Sequence, residues 1–385
     1  MRQEIPPDRR RIYRMVSVVQ VQSDPHRPRP RAALDAITPY EPGMTPELAS
    51  RRFGPLAYAK LSSNENPFGP SPRALEAAAA ALADTRSYPD STSTALRQAL
   101  SDHLGVAFER VAAGPGSEAL IDYFFRAYLS PGDALLLSQP TFPSYEIFAR
   151  SAGARIVDVP RDSDFALDIE AVKRALRRRP RVLALCTPNN PTGARTSRRD
   201  LADILESTPL DTVVVLDEAY VEFHDEGGAL DLLEAWGGVF MLTRTFSKAY
   251  GLAGLRVGYG VVSGTEVIDA FDRLRPAFNL TRASQAAAIA ALADQDHLRR
   301  GVEAVVAERM RMERALTEVG VFHTGSQANF VFVRSPGPIE AVFERLLAAG
   351  LIVRPIRVGD GYFRITVGMR ADNDKVLAEL AAMAR

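Results

Sequence analysis

From Ala112 onward, short unbroken apolar runs alternate with longer segments in which apolar residues recur every three or four positions. The runs are DALLLS, ARIVDV, RVLALC, TVVVLD, GVFMLT and RVGYGVV. Runs this short and continuous predict strands buried on both faces. The helical segments between them, near 117–128, 144–151, 169–178, 198–206 and 266–275, predict strand-helix-strand units around a mostly parallel sheet. The expectation is a large α/β domain over 71–280, entered through an arm at 34–70.

After Thr281 the pattern changes. ASQAAAIAALADQDHLRRGVEAVVAERMRMERALTEVG keeps a helical period over its whole length, and NFVFVR and YFRITVG then read as alternating strands. This predicts a second, smaller α+β domain over 281–385. The leader, 1–33, differs from both. Its PPDRRRIYR and DPHRPRPR mix proline with arginine and offer little to bury, so it is expected to be disordered, with Met15 as an alternative start.

Composition narrows the function. A chain of 385 residues suits two domains, and its 47 lysines and arginines balance its 47 aspartates and glutamates. That balance gives no reason to expect nucleic acid or an anionic membrane as partner, and points to a small molecule. Cys186, the only cysteine, rules out an internal disulfide and a thiolate zinc cluster, so no metal is expected and the cytoplasm is the default compartment. No apolar run reaches the roughly 20 residues of a membrane span.

Chemistry concentrates where the apolar runs stop. LCTPNNPTG places Asn189 and Asn190 beyond one strand, VVVLDEAY places Asp217, Glu218 and Tyr220 beyond the next, and MLTRTFSK places Thr245, Ser247 and Lys248 beyond another. Ligands gather at such strand ends in an open α/β sheet. A lysine there is ordinarily a solvated loop residue, and PNNPTG alone is an ordinary turn. Together, in this order, they suit a single site. A lysine amine partly neutralised by burial and by a nearby cation such as Arg256 can form a Schiff base. A buried aspartate can hold a ring nitrogen protonated, the pairing used with pyridoxal phosphate. Hydroxyls of Thr245 and Ser247 and the turn AGPGSEAL at 113–120 can grip a phosphate. No GxxxxGK[ST] is present to turn the DEA carboxylates toward a nucleotide.

CTPNNPTG, VVLDEAY and RTFSKAYGLAGLRVGY resemble the signature segments of the fold-type I, class I/II aminotransferases, which depend on pyridoxal phosphate. Within that family, ITPYEPG, KLSSNENPFGPSP, SYPD, GLIVRP and FRITVG are similar to the histidinol-phosphate branch. The resemblance runs from about Leu34 to the C-terminus. It implies that Lys248 carries the Schiff base and shuttles the proton, that Asp217 pairs with the ring nitrogen, and that Asn190 and Tyr220 bond the ring oxygen. It implies a phosphate site made of Ser247, Thr245, Arg256 and the backbone amides of Ser117 and Glu118, with Phe142 stacked on the ring. Tyr88 would reach the cofactor phosphate of a neighbouring subunit, so a homodimer is implied. Arg364 would take a substrate carboxylate or, with Tyr40 and Arg354, the phosphate of histidinol phosphate, and 2-oxoglutarate would be the amino acceptor.

GPGSEA stands where the family commonly has GNGSDE, and Phe142 where tyrosine is common. RPAFN departs from an R-x-P-F-N order and is expected near the substrate pocket. These departures touch the substrate more than the chemistry. An aromatic-amino-acid aminotransferase using Phe142, Tyr40 and Phe278, and a threonine-phosphate decarboxylase, are the rival activities. A transcription regulator with an aminotransferase-like sensor would need a DNA-binding module ahead of it, for which 33 residues are too few.

Overall fold

The structure, a computed structural model, describes residues 28–40 and 42–384; the disorder expected of the leader falls, for residues 1–27, outside the described residues. The arm enters through a helix, Pro46–Phe53, whose start is capped by the Thr45 hydroxyl accepting from Leu48 N–H. A short strand follows, β1 (Ala59–Lys60).

The central sheet has seven strands: β2 (Val111–Gly114), β3 (Ala134–Leu137), β4 (Arg155–Asp158), β5 (Val182–Cys186), β6 (Val213–Asp217), β7 (Phe240–Thr245) and β8 (Gly258–Val262). They lie in the order β2-β8-β7-β6-β5-β3-β4, all parallel except β8, which runs against both its neighbours. The sheet is therefore mostly parallel, as the buried runs led one to expect. Strand alternation divides each run between two cores. Val182, Ala184, Val213, Val215 and Met241 face one layer with Phe124, Phe125 and Tyr145, while Leu183, Leu185, Val214, Leu216 and Leu242 face the other with Leu176, Leu201 and Ile204.

A second sheet is antiparallel. β9 (Phe330–Arg334), β11 (Arg354–Ile356) and β12 (Tyr362–Thr366) pair in the order β11-β12-β9, and β10 (Leu351–Ile352) pairs in parallel with β1. Phe330, Val331, Val333, Phe363 and Ile365 pack against Met312 and Leu316 of the helix Gln295–Glu318 and against Val376 and Leu380 of the C-terminal helix.

Two of the expected segments pack differently from their place in the chain. The long alanine-rich segment is two helices, Arg282–Ala293 and Gln295–Glu318. Asp294 separates them, accepting from His297 N–H and from the Ser71 hydroxyl. The first helix packs its Ala287, Ala288 and Ala291 against Ala74, Leu96, Phe246 and Tyr250, so it joins the larger unit and not the smaller. The arm, conversely, leans on the smaller unit, with Met44 and Ala49 against Leu347 and Ile352.

Asn373 ties the C-terminal helix to the end of β12. Fully buried, it accepts from Gly368 N–H and donates to Gly368 O and to Glu308 Oε1. Asn373→Ala leaves both Gly368 backbone groups without this partner and is expected to cost about 2–4 kcal/mol in urea unfolding. A loss within 0.5 kcal/mol, roughly the range of a neutral surface change, would show that the turn does not depend on this side chain.

Candidate active site

The C-terminal ends of β5, β6 and β7 open into a cavity of about 360 Å³. Tyr40, Ser117, Glu118, Phe142, Asn190, Asp217, Tyr220, Thr245, Ser247, Lys248, Arg256 and Arg364 all line it. Arg354 lines an adjoining cavity of about 250 Å³ that shares Tyr40, Phe142, Asn190 and Arg364 with the first. Tyr88 stands apart, exposed, its ring stacked on Phe278 with centroids 4.5 Å apart. The RPAFN segment is also displaced from its expected place: neither cavity is lined by it, and Arg275 instead donates to Ser91 O at 2.6 Å. Phe278 consequently gives this chain's own pocket no aromatic wall.

Lys248 follows β7 in a tight turn, and its Nζ donates to Ser63 O at 3.1 Å. The residue is half-buried and lines the cavity. Burial first, then the charge of Arg364 and more weakly that of Arg256, lower its pKa to about 7, with Glu65 opposing them. The cation expected to act on it from sequence was Arg256; Arg364 acts more strongly.

Asp217 lies on the same strand face as Val213 and Val215, which turns its carboxylate toward the layer holding Tyr145. Tyr145 Oη donates to Asp217 Oδ2 at 2.6 Å, and Ala219 N–H and Thr243 Oγ1 donate to Oδ1 at 3.1 and 3.3 Å. Burial raises the carboxyl pKa, and these three donors work against that rise. Glu218, one residue on, points the other way and holds Arg244 at 2.8 Å beneath the site.

At the opposite end, the helix Ser117–Tyr128 begins without a side-chain cap, leaving the first amides directed into the cavity. Glycine is required beside them. A Cβ on Gly258 would lie 2.2 Å from Ser117 N, and one on Gly116, at φ +90°, would lie 2.9 Å from Arg256 Nη2. Arg256 itself adopts the left-handed conformation, with φ 54°, and its Nη1 donates to Ser247 Oγ at 3.5 Å and Ala253 O at 3.1 Å. Thr245 Oγ1 accepts from Ser247 N–H at 3.1 Å. Amides, two hydroxyls and a guanidinium thus converge as an anion cradle.

Tyr220 Oη accepts from Asn64 Nδ2 at 2.9 Å, which leaves its own proton free to be donated into the cavity. Asn190 Oδ1 accepts from Arg364 Nη1 at 2.6 Å, and its amide nitrogen remains as a donor. Arg364 also donates to Ser62 O at 2.5 Å, and its buried Nε has no partner among the described residues. Arg354 and Arg364 are Cα partners across the antiparallel β11–β12 pair, so their side chains share one face. Burial above all, with Arg354's like charge adding to it, holds Arg364 below its ordinary range.

These groups fit pyridoxal phosphate end to end. The anion cradle suits its phosphate, Asp217 its ring nitrogen, the Asn190 and Tyr220 donors its ring oxygen, the Phe142 face its ring, and Lys248 its aldehyde.

A mostly parallel sheet with a lysine, an aspartate and an anion cradle at its strand ends defines a fold-type I transferase. The chain belongs to the class I and II aminotransferases, whose family model, "Aminotransferase class I and II", matches residues 58–380. It is 54% identical over 352 residues to histidinol-phosphate aminotransferase 2 of Caulobacter vibrioides, covering 91% of this chain and 93% of that protein. It is 40% identical to an aromatic amino acid aminotransferase of Rhodococcus opacus, covering 91% and 95% of the two chains. Its fold matches the histidinol-phosphate aminotransferase of Sinorhizobium meliloti, solved with pyridoxal-5'-phosphate, at a TM-score of 0.84 and 31% identity, over 93% of this chain and 98% of that one.

Several residues at the site escaped the sequence reading. Tyr145 was within reach, because it falls three positions after Phe142 at the start of the helix Pro143–Ser151. Ser63, Asn64 and Thr243 stand inside segments already singled out, KLSSNENPFGPSP and MLTRTFSK, but no spacing there gives their contacts with Lys248, Tyr220 and Asp217. Among the described residues, no group of His, Cys, Asp and Glu is arranged to hold a metal ion, and no helix is long and apolar enough to cross a membrane.

The lowered pKa of Lys248 makes a testable statement about stability. The unfolded chain binds more protons than the folded one between about pH 7 and its ordinary 10.5, so this group's contribution to stability rises with pH across that window. Cofactor-free Lys248→Met is expected to be more stable than the cofactor-free wild type at pH 7 by roughly 1–3 kcal/mol, allowing for screening by the open cavity. The gap should narrow toward about pH 10 in urea unfolding. A gap independent of pH would show that the fold does not depress this amine.

Proposed function

We propose that this pyridoxal-phosphate-dependent aminotransferase moves the amino group of histidinol phosphate to 2-oxoglutarate, working as a cytoplasmic homodimer. The observation that carries the reading is the pair of arginines, Arg354 and Arg364, set side by side where the two cavities join. The Arg354 guanidinium lies 5.4 Å from the Tyr40 ring centroid and has no carboxylate partner among the described residues. Two cations on one face suit a dianionic phosphate on the donor and, in the second half-reaction, a dicarboxylate acceptor. The name borne by the Caulobacter relative at 54% identity supports the same donor.

Pyridoxal phosphate, when bound, supplies the electron sink that makes the donor's carbon-bound proton removable. The protein's part follows from its own atoms. Lys248 Nζ, with a pKa near neutrality, takes a proton from the donor carbon and delivers it to a second carbon without leaving the cavity. Asp217, held by Tyr145, Thr243 and the Ala219 amide, keeps a negative charge where a protonated ring nitrogen is needed. Asn190 and Tyr220 would donate to the ring oxygen. Ser117, Glu118, Thr245, Ser247 and Arg256 would hold the cofactor phosphate, and Phe142 would cover the ring. Tyr88, exposed on its own subunit, is assigned to the partner's phosphate site, and sedimentation at twice the chain mass checks the dimer.

The aromatic reading is favoured by the Rhodococcus relative and by the Phe142 and Tyr40 walls. An aromatic amino acid, however, brings one carboxylate to two arginines. Purified enzyme given histidinol phosphate or phenylalanine, each with 2-oxoglutarate, is expected to favour histidinol phosphate in kcat/KM by at least about 100-fold, the discrimination expected when a buried charge is left unpaired. Equal use of the two donors would overturn the assignment, and carbon dioxide released from threonine phosphate without an oxo acid would instead mark a decarboxylase. Lys248→Ala should abolish turnover with either donor.

A further inference from the structure

We propose that Glu146 is the residue that recognises the imidazole ring of the donor, an inference that rests on the donor assigned above. The adjoining cavity is bipolar. Arg354, Arg357 and Arg364 line one part of it, and Glu146 is the only carboxylate among its described lining residues. The same carboxylate lines a further opening on the other side of Tyr40, beside Arg354.

The chain holds Glu146 there by helical spacing. Phe142 caps the helix Pro143–Ser151, and Tyr145 and Glu146 follow three and four positions later, so the three side chains emerge on neighbouring parts of one surface. Phe142 faces the first cavity, Tyr145 reaches down to Asp217, and Glu146 points into the second. The carboxylate sits in the first turn of the helix, where the exposed amides favour negative charge. Its orientation is set from both sides. Gln139 Nε2 donates to Oε2 at 2.8 Å and Arg150 Nε donates to Oε1 at 2.7 Å. A carboxylate has about four acceptor positions, so two remain for a ligand.

A donor that carries a phosphate at one end and an imidazole at the other matches this polarity. With the phosphate drawn to the arginines, the ring is left toward the wall that contains Phe142 and Glu146. An imidazole N–H can donate to a carboxylate, and the bond strengthens when the ring is protonated, as it partly is near its ordinary pKa of about 6.5. A phenyl ring has no such proton. Glu146 therefore acts on donor choice, apart from the proton transfer at Lys248, and favours a donor whose ring can donate to the acceptor positions that Gln139 and Arg150 leave open.

The test compares histidinol phosphate with phenylalaninol phosphate, which keeps the amine, the phosphate and a planar aromatic ring, one atom larger, but lacks a ring N–H. For the holoenzyme with 2-oxoglutarate, the ratio of kcat/KM between the two donors is expected to fall roughly tenfold or more in Glu146→Gln and further in Glu146→Ala, as for one hydrogen bond to a charged group. The loss should lie mainly in KM for the imidazole donor, and should be larger below about pH 6.5 than above it, because only the protonated ring gains the full charge-assisted bond. A ratio unchanged within twofold overturns the inference, and so does an equal fall for both donors, which would show a merely structural role. A wild type inactive on both phosphate donors overturns the assigned donor and this subsite together, whereas an active wild type with an unaltered ratio in the variants overturns the subsite alone.

Discussion

The site depends on an amine kept close to neutrality inside a pocket built to attract anions. Lys248 lies among cations that would bind a cofactor phosphate and a substrate anion, and those same cations, Arg364 before Arg256, lower its pKa. One positive field therefore serves two purposes. It holds charged ligands, and it withholds a proton from the nitrogen that must be nucleophilic. Glu65 tempers the field from the arm, close enough to oppose the depression, while its own charge is shared with Lys60 at 2.7 Å. An anion bound at Arg364 would offset part of that repulsion, so ligand binding and the basicity of Lys248 are physically linked.

Beneath this field the strand pleat does the sorting. Asp217 and Glu218 are adjacent in the chain, yet one enters the site and the other leaves it, because successive side chains take opposite faces. Asp217 meets Tyr145 and Thr243 in one layer; Glu218 binds Arg244 and the Ala229 amide in the other. The buried Glu218–Arg244 pair anchors the ends of β6 and β7 to one another, and these are the strands that deliver Asp217 and Lys248. Breaking such a pair by removing one partner would leave a charge stranded under the site.

What could be seen in the chain alone follows from how far each feature's cause extends along it. The strands were legible because burial on both faces writes itself as a short continuous run, and the strand-end residues were legible because they directly follow those runs. The break at Asp294 was not. The helical period continues on both sides of it, and what assigns Arg282–Ala293 to the larger unit is contact with Ala74 and Leu96, some two hundred positions earlier. Asn64 and Tyr220 likewise meet across 156 positions. Tyr145 was recoverable from helical spacing; the displacement of RPAFN was not, since it follows from where Ser91 holds Arg275.

The smaller sheet contributes to the site as a unit. Arg354 and Arg364 are cross-strand partners, so their separation is set by β-sheet geometry and not by two independent loops. β12 is in turn fixed at its far end, where Thr366 N–H donates to Leu61 O and Thr366 Oγ1 accepts from Asn64 N–H and donates to Asn64 Oδ1. Arg364 then bridges β12, the arm at Ser62 and the loop after β5 at Asn190. Any displacement of the smaller unit must carry both arginines together and must strain or release the contact with Asn190, which is itself a donor to the cofactor's ring edge in the proposed reaction. In the proposed reaction the substrate's anionic end and the cofactor's ring oxygen would thereby be coupled through a single guanidinium, at the seam where Tyr40, Phe142, Asn190 and Arg364 line both cavities.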